Sequence, residues 1–325
     1  MNFSKTYTAQ VTGLQANIVS IEVDLSNGLH AFSIVGLGDR AVEEAKDRIS
    51  AAIKNSGFVS PKQKNQKVVI SLAPADIRKE GTAFDLGMAV GYLLASGNAD
   101  FETEKKIFIG ELSLEGNLRK TKGILAMIRA SKRAAFESVF VPMENALEAA
   151  LVPGIKIIPI DSLRQLTEHL SGKKIIEPQP RTKIMAHRNR SSADIDFGMI
   201  HGQENAKRAM EIAATGRHNV AMYGPPGTGK TMLAKAFAGI LPTLSHEEVL
   251  EVTEIYSIIK TSEKNSDGSN GNIVTSAPFR APHHTSPYSA IIGGGVSSPK
   301  PGEITLAHRG VIFLIPVLQN ICLYQ

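Results

Sequence analysis

The stretch Gly224-Pro225-Pro226-Gly227-Thr228-Gly229-Lys230-Thr231 satisfies G-x-x-x-x-G-K-[ST] in full. The chemistry of that pattern is phosphate binding. Glycines let successive backbone N–H groups turn toward phosphate oxygens, in conformations other residues avoid. A helix starting near Gly229 aims the positive end of its dipole at the same anion. Lys230 is then placed for the β- and γ-phosphates of ATP, and Thr231 for a Mg²⁺ ion on them. The flanks agree, with an apolar strand, HNVAMYG, before the loop and a helix, GKTMLAKAFAGI, after it, stopped by Pro242.

Two other constellations compete for attention. Gly36-Leu37-Gly38-Asp39-Arg40-Ala41 has the spacing of a dinucleotide fingerprint after a strand and before a helix. The acid that should bind ribose about 20 residues later is missing, because Lys54–Gly57 reads KNSG. A tight strand-to-helix turn is the favoured reading. His283 and His284 stand side by side in a PHHT segment without a carboxylate–His cluster around them. In extended chain, neighbours face opposite sides, so one metal ion is poorly placed to take both. They read as a hydrogen-bonded loop or as part of a nucleotide or subunit surface. No residue is assigned a catalytic role.

The elements that must position these residues follow from periodicity. Phe32–Gly36, Lys67–Leu72, KIFIGEL, SVFV and IKIIP read as strands. A helix carries Val42, Ala45, Ile49, Ala52 and Ile53 on one face, with Asp39 as N-cap and Gly57 just past its end. Thr82–Gly97 is apolar on most sides and reads as a buried helix. Ile124–Phe136 and Met143–Leu151 are further helices, and DSLRQLTEHL closes the domain from an N-cap at Asp161. This predicts a mixed α/β domain over 1–170. Residues 171–195 carry two prolines and several basic residues with one acid from Ser171 to Ser192, and read as a solvated interdomain linker whose charge can also meet phosphate. A second α/β pattern occupies 196–325. Its helix Gly202–Gly216 places Ala206, Met210 and Ala213 on one face, and GGG followed by SSPKPGE reads as a hairpin or loop.

Composition sets the bounds. The chain has 325 residues, enough for two domains, with 42% hydrophobic and 21% charged residues. Its single cysteine, Cys322, excludes a disulfide framework and cysteine-based zinc sites, and suits a reducing cytoplasm. No apolar leader opens the chain, and no run of about 18 apolar residues predicts a membrane span. The net charge of +5 permits an acidic partner without demanding one.

The second half resembles the magnesium-chelatase-like AAA+ ATPases of the YifB/ComM type, on GQENAKRAMEIAATGRHNVAMYGPPGTGKTMLA and FRAPHHTSPYSAIIGGGVSSPKPGEITLAHRGVIFL. The first half resembles that family's Lon-protease-like (ribosomal S5-like) domain, on IVGLGDRAVEEAKDRI, LAPADIRKEGTAFDLGMA and GELSLEGNLRKTKG. The resemblance implies a Lon-like α/β domain followed by a P-loop AAA+ α/β domain, which is incomplete here. It implies ATP and Mg²⁺ as cofactors, a hexameric ring of subunits, DNA as a partner, and ATP-driven DNA remodelling or branch migration. It also brings Lys300, near the family's central pore, toward DNA phosphate.

The same resemblance marks departures. Lon-type peptidases use a Ser nucleophile and a Lys base; the matching positions here hold Ala83 or Phe84, and Leu125. Thr82 lies close by, but the sequence gives its hydroxyl no base. The strand GVIFL should end in Asp-Glu, the Asp holding Mg²⁺ and the Glu activating water; here Ile315 and Pro316 stand instead. The arginine finger, the γ-phosphate sensor and the helical lid would follow later in the family's chain. With the family's strand order five-one-four-three-two, the sheet would lack its middle unless PVLQNICLYQ fills the slot. A reading-frame change after Leu314 or a truncated gene model accounts for both departures. The expected product binds ATP and turns it over poorly. Two other readings stand beside it: a non-enzymatic assembly module, and a magnesium-chelatase-type motor subunit, against which the Lon-like first half argues.

Overall fold

The computed structural model describes residues 2–184, 195–259, 273–295, 300–314 and 320–324. The chain divides into two compact units, Met1–Thr182 and Lys183–Gln325.

In the first unit, β1 (Phe3–Thr12) and β2 (Gln15–Asn27) form a hairpin, followed by β3 (Ala31–Val35), α1 (Arg40–Asn55) and β4 (Gln66–Ala73). The sheet runs β1-β2-β4-β3, with β3 parallel to β4 and the other pairs antiparallel. Next come α2 (Asp85–Ala95), β5 (Lys106–Phe108), the short pair β6 (Glu111–Leu112) and β7 (Leu118–Arg119), and α3 (Ile124–Arg133). β8 (Ser138–Pro142), α4 (Ala146–Ala149), β9 (Lys156–Ile160) and α5 (Leu163–Leu170) complete the unit, with β5-β8-β9 a parallel sheet.

The strands and helices expected from Phe32 onward are present, and the α/β class with them. Asp39 caps α1, its carboxylate accepting from Val42 N at 2.9 Å. At α5 the cap is Ser162, not Asp161: Ser162 Oγ accepts from Gln165 N, and the Asp161 N–H is taken by the Gln165 side chain. The hairpin β1–β2 has no counterpart in the sequence reading, and the reason is chemical. The buried face of β1 is polar, with Ser4, Thr6, Thr8 and Gln10. The three hydroxyls among them donate to α2 or its approach: Ser4 to Gly91 O, Thr6 to Gly87 O and Thr8 to Ala83 O. The helix lies close enough for this because Gly87 and Gly91 face the sheet; a Cβ there would meet Ile21 Cδ1 at 2.6 Å and Val23 Cγ2 at 2.8 Å. Behind the contact lies an apolar core including Ile21, Val23, Ile49, Ile70 and Phe84. Beyond α5 the chain stays on this unit, Gln179 N donating to Ile157 O and Thr182 Oγ1 to Leu147 O. The strip read as linker therefore begins as a strap on the first unit.

The second unit contains α6 (Glu204–Gly216), β10 (Val220–Met222), α7 (Lys230–Gly239), α8 (His246–Ile259), β11 (Phe279–Arg280) and α9 (Tyr288–Ile292). β12 (Gly293–Gly294) and β13 (Lys300–Pro301) form the expected hairpin. α10 (Glu303–Leu306), β14 (Val311–Leu314) and β15 (Asn320–Tyr324) follow. The sheet order is β10-β15-β14-β11. β11 is parallel to β14, whereas β15 runs antiparallel to both its neighbours. The slot between β10 and β14 is thus filled by Asn320–Tyr324 of the tail, the alternative that the sequence left open, in the direction opposite to that of a parallel P-loop sheet. Met210, Leu233, Phe237, Val311 and Phe313 form part of the core. Arg280 grips Glu303 through two bonds of 2.6 Å, and Arg309, just before β14, bonds Glu251 of α8 at 2.8 Å. No helix among the described residues is long and apolar enough to cross a membrane.

Candidate nucleotide-binding site

The loop 224–229 leaves β10 and turns directly into α7. Gly227 and Gly229 adopt φ of +83° and +85°, and a Cβ at either would meet open space, so it is conformation and not crowding that calls for glycine. Gly229 is the N-cap residue of α7, and no side chain caps that helix. Its first-turn N–H groups are therefore available to an external acceptor, with the helix dipole behind them. Lys230 reaches back across the loop. Its Nζ donates to the carbonyls of Gly224 and Pro225, both at 2.8 Å, and lies 3.5 Å from Thr228 Oγ1. Thr228 Oγ1 in turn donates to Pro225 O at 2.9 Å. Pro226 is exposed on the loop's crest, and Thr231 is exposed on the first turn of α7. All eight motif residues are thus brought together on one strand-loop-helix junction.

The arrangement fits a polyphosphate, offering N–H donors, one cation and a dipole on a single turn. For a divalent ion it offers the Thr231 hydroxyl. Ile315 and Pro316 lie outside the described residues, and no group of three or more His, Cys, Asp or Glu that could hold a metal occurs among those described.

The second glycine motif is built differently. The Asp39 carboxylate fills the N-terminus of α1, accepting from Val42 N and from Gly81 N at 3.1 Å. A Cβ at Gly36 would sit 2.3 Å from Leu72 O, so the turn is pressed against its own chain. An anion would meet a carboxylate there, and the strand-to-helix turn is the better description. His283 and His284 do not face opposite sides: their rings approach to 4.2 Å between centroids, and His283 Nδ1 is 2.7 Å from Thr285 Oγ1. The loop is hydrogen-bonded within itself.

At the positions matching the Lon dyad, Ala83 is 8% exposed, and Phe84 and Leu125 are 0% exposed. One expectation needs correction. The Thr82 hydroxyl does have a carboxylate partner, donating to Glu111 Oε2 at 2.5 Å, while Arg119 bonds the other oxygen, Oε1, at 3.2 Å. Glu111 and Arg119 lie on the paired strands β6 and β7, a contact that periodicity could not bring to Thr82. Beside it, Asp85 is fully buried and held by Arg48 at 2.9 and 3.1 Å and by Leu112 N. Burial pushes its carboxyl up to about 6, against the pull of the guanidinium.

Two family models match the chain: one described as magnesium chelatase, subunit ChlI, over residues 196–319, and one as subunit ChlI of Mg-chelatase, over residues 21–145. Competence protein ComM of Haemophilus influenzae is 39% identical over 316 residues, which is 97% of this chain and 60% of ComM. The uncharacterized protein YifB of Salmonella typhimurium is 40% identical over 315 residues, 97% of this chain and 59% of YifB. An archaeal Lon protease of Thermococcus kodakarensis is 47% identical over 51 residues, 16% of this chain and 8% of the protease. The chain spans about 60% of the length of the ComM and YifB relatives it matches.

Proposed function

The chain belongs to the magnesium-chelatase ChlI-like family that includes ComM and YifB, and from that premise we propose that it binds ATP through Gly224–Thr231 without efficient turnover. The observation carrying this reading is the uncapped N-terminus of α7 with Lys230 folded over the loop that precedes it. In the proposed complex, N–H groups of residues 227–231 receive the phosphate oxygens. Lys230 exchanges its two carbonyl partners for the β- and γ-phosphates, and Thr231 turns its hydroxyl toward Mg²⁺. The metal supplies charge neutralisation at those phosphates.

Hydrolysis needs a group to hold the metal and another to orient water. At the end of β14, where the family carries Asp and Glu, Ile315 and Pro316 have neither chemistry. Ground-state binding alone does not lower the chemical barrier. The wider role we propose follows the competence protein among its relatives: a cytoplasmic subunit that assembles with copies of itself and works on DNA, with this chain a binding form of that machine. Measuring ATP affinity of the chain and of Lys230→Ala tests the reading. A fall of at least tenfold in affinity is expected; equal affinity would locate binding elsewhere and end the proposal.

A further inference from the structure

The segment Gly116–Phe136 contains six cations, Arg119, Lys120, Lys122, Arg129, Lys132 and Arg133, and no acid. The fold lays them out along one element. α3 buries Ile124–Ile128, Ala130 and Ser131, so its outward surface consists of Arg129, Lys132 and Arg133, spaced i, i+3, i+4. Arg119 ends β7, and Lys120 and Lys122 sit on the loop that leads from it into the same helix. Arg119 pairs with Glu111, whereas Lys120, Lys122, Lys132 and Arg133 make no ion pair among the described residues.

Ordinary helix electrostatics explains half of this. Lys132 and Arg133 lie in the last turn, where cations suit the dipole. Lys120 and Lys122 stand at the opposite end, where the dipole opposes them, and no acid among the described residues pairs with them. That loop is nonetheless held rigidly. Asn145, fully buried, clamps Thr121 from both sides, its Oδ1 accepting from Thr121 N at 2.8 Å and its Nδ2 donating to Thr121 O at 2.9 Å. A fixed loop that concentrates unopposed positive charge is suited to a polyanion.

We propose that these cations on the first unit, Arg119, Lys120 and Lys122 before α3 together with Arg129, Lys132 and Arg133 on it, bind the phosphate backbone of nucleic acid. The two groups of cations stand at the two ends of a ten-residue helix roughly 15 Å long, whose first five residues are buried, and that span corresponds to about four phosphates of one strand at about 3.4 Å each. A membrane fits less well, because the apolar face of α3 is already buried in the core and cannot enter lipid. Contacts of this kind position the polymer and carry no sequence information. The inference rests on the DNA reading above and adds a site outside the phosphate loop.

The test is fluorescence anisotropy of the full chain with a labelled single strand or duplex of about 30 nucleotides, titrated across salt concentrations. The comparison is between a stripe variant (K120Q, K122Q, K132Q, R133Q) and a control that removes the same charge elsewhere on the first unit (K54Q, K67Q, K173Q, K174Q). All eight positions are exposed or half-buried, and circular dichroism checks that both variants fold. The stripe variant should bind at least tenfold more weakly at about 0.1 M salt. For the single strand its log–log salt slope should be shallower by about 3, near 0.7 for each phosphate no longer neutralised. The control should change far less. Equal weakening in both variants would overturn the stripe while leaving DNA binding in place. No binding by the unaltered chain would overturn both the stripe and the DNA reading. Tighter binding to anionic lipid vesicles than to either nucleic acid would also overturn it.

Discussion

At the residue scale, the first unit carries a buried ion pair whose titration is measurable. Asp85 has no solvent exposure, and burial raises its carboxyl to about 6 from an ordinary value near 4. A folded-state value above the unfolded one means that this group favours the folded state below about pH 4. The contribution is lost as pH rises through about 6, because the unfolded chain ionises first. Urea unfolding of the unaltered chain should therefore show a decline on the order of 2–3 kcal/mol between about pH 4 and 6 relative to Asp85→Asn. A difference that stays flat over that window would refute the assignment. Arg48→Leu leaves the carboxylate buried without its cation and should destabilise the unit by about 3–5 kcal/mol at about pH 7. A change below about 1 kcal/mol, read from the same unfolding curves, would show that Leu112 N and water suffice.

At the scale of elements, the sheet of the second unit depends on β15. That strand runs between β10 and β14, Cys322 standing opposite Val220 on one side and Phe313 on the other. A central strand uses its N–H groups on both edges, so Cys322→Pro removes a ladder bond and strands an acceptor, at about 1–3 kcal/mol. Hydrogen exchange should then quicken at the amides of β10 and β14 and stay unchanged in β1, β2 and β4. Unaltered protection in β10 would mean that β15 does not hold this sheet together.

What the sequence made legible differs between elements for physical reasons. α1 was readable to its cap, since apolar spacing and Asp39 gave the same answer, and the turn from β10 into α7 over Gly224–Thr231 was readable because its positive φ values call for glycine at fixed places. β1 was not, because a strand that buries Ser4, Thr6, Thr8 and Gln10, each donating to a backbone carbonyl, lacks the apolar alternation by which strands are recognised. The direction of β15 was equally hidden: apolar content says that a segment can pair, and register and direction come from neighbours distant in sequence. The Thr82–Glu111–Arg119 chain joins three separate segments, and no local pattern encodes it.

At the scale of the whole molecule, holding a nucleotide and consuming it are separate capacities. In the proposed reading, the loop, the uncapped helix and Lys230 belong to holding. In the same reading consuming calls for carboxylates at 315 and 316, where the chain has Ile and Pro, and β14 is paired up to Leu314 with an antiparallel strand. Installing Asp and Glu at those two positions alone should leave turnover at background, since β15 would still run the wrong way for a parallel P-loop sheet. The most direct measurement is the chemical identity of the nucleotide the chain retains. Purified protein is incubated with radiolabelled ATP and Mg²⁺, separated from free nucleotide, and the bound fraction is resolved by chromatography over time, with Lys230→Ala alongside. The unaltered chain should retain ATP unhydrolysed, and the variant should retain little nucleotide. Bound ADP accumulating faster than in the Lys230→Ala sample, or equal retention by both proteins, would contradict that separation.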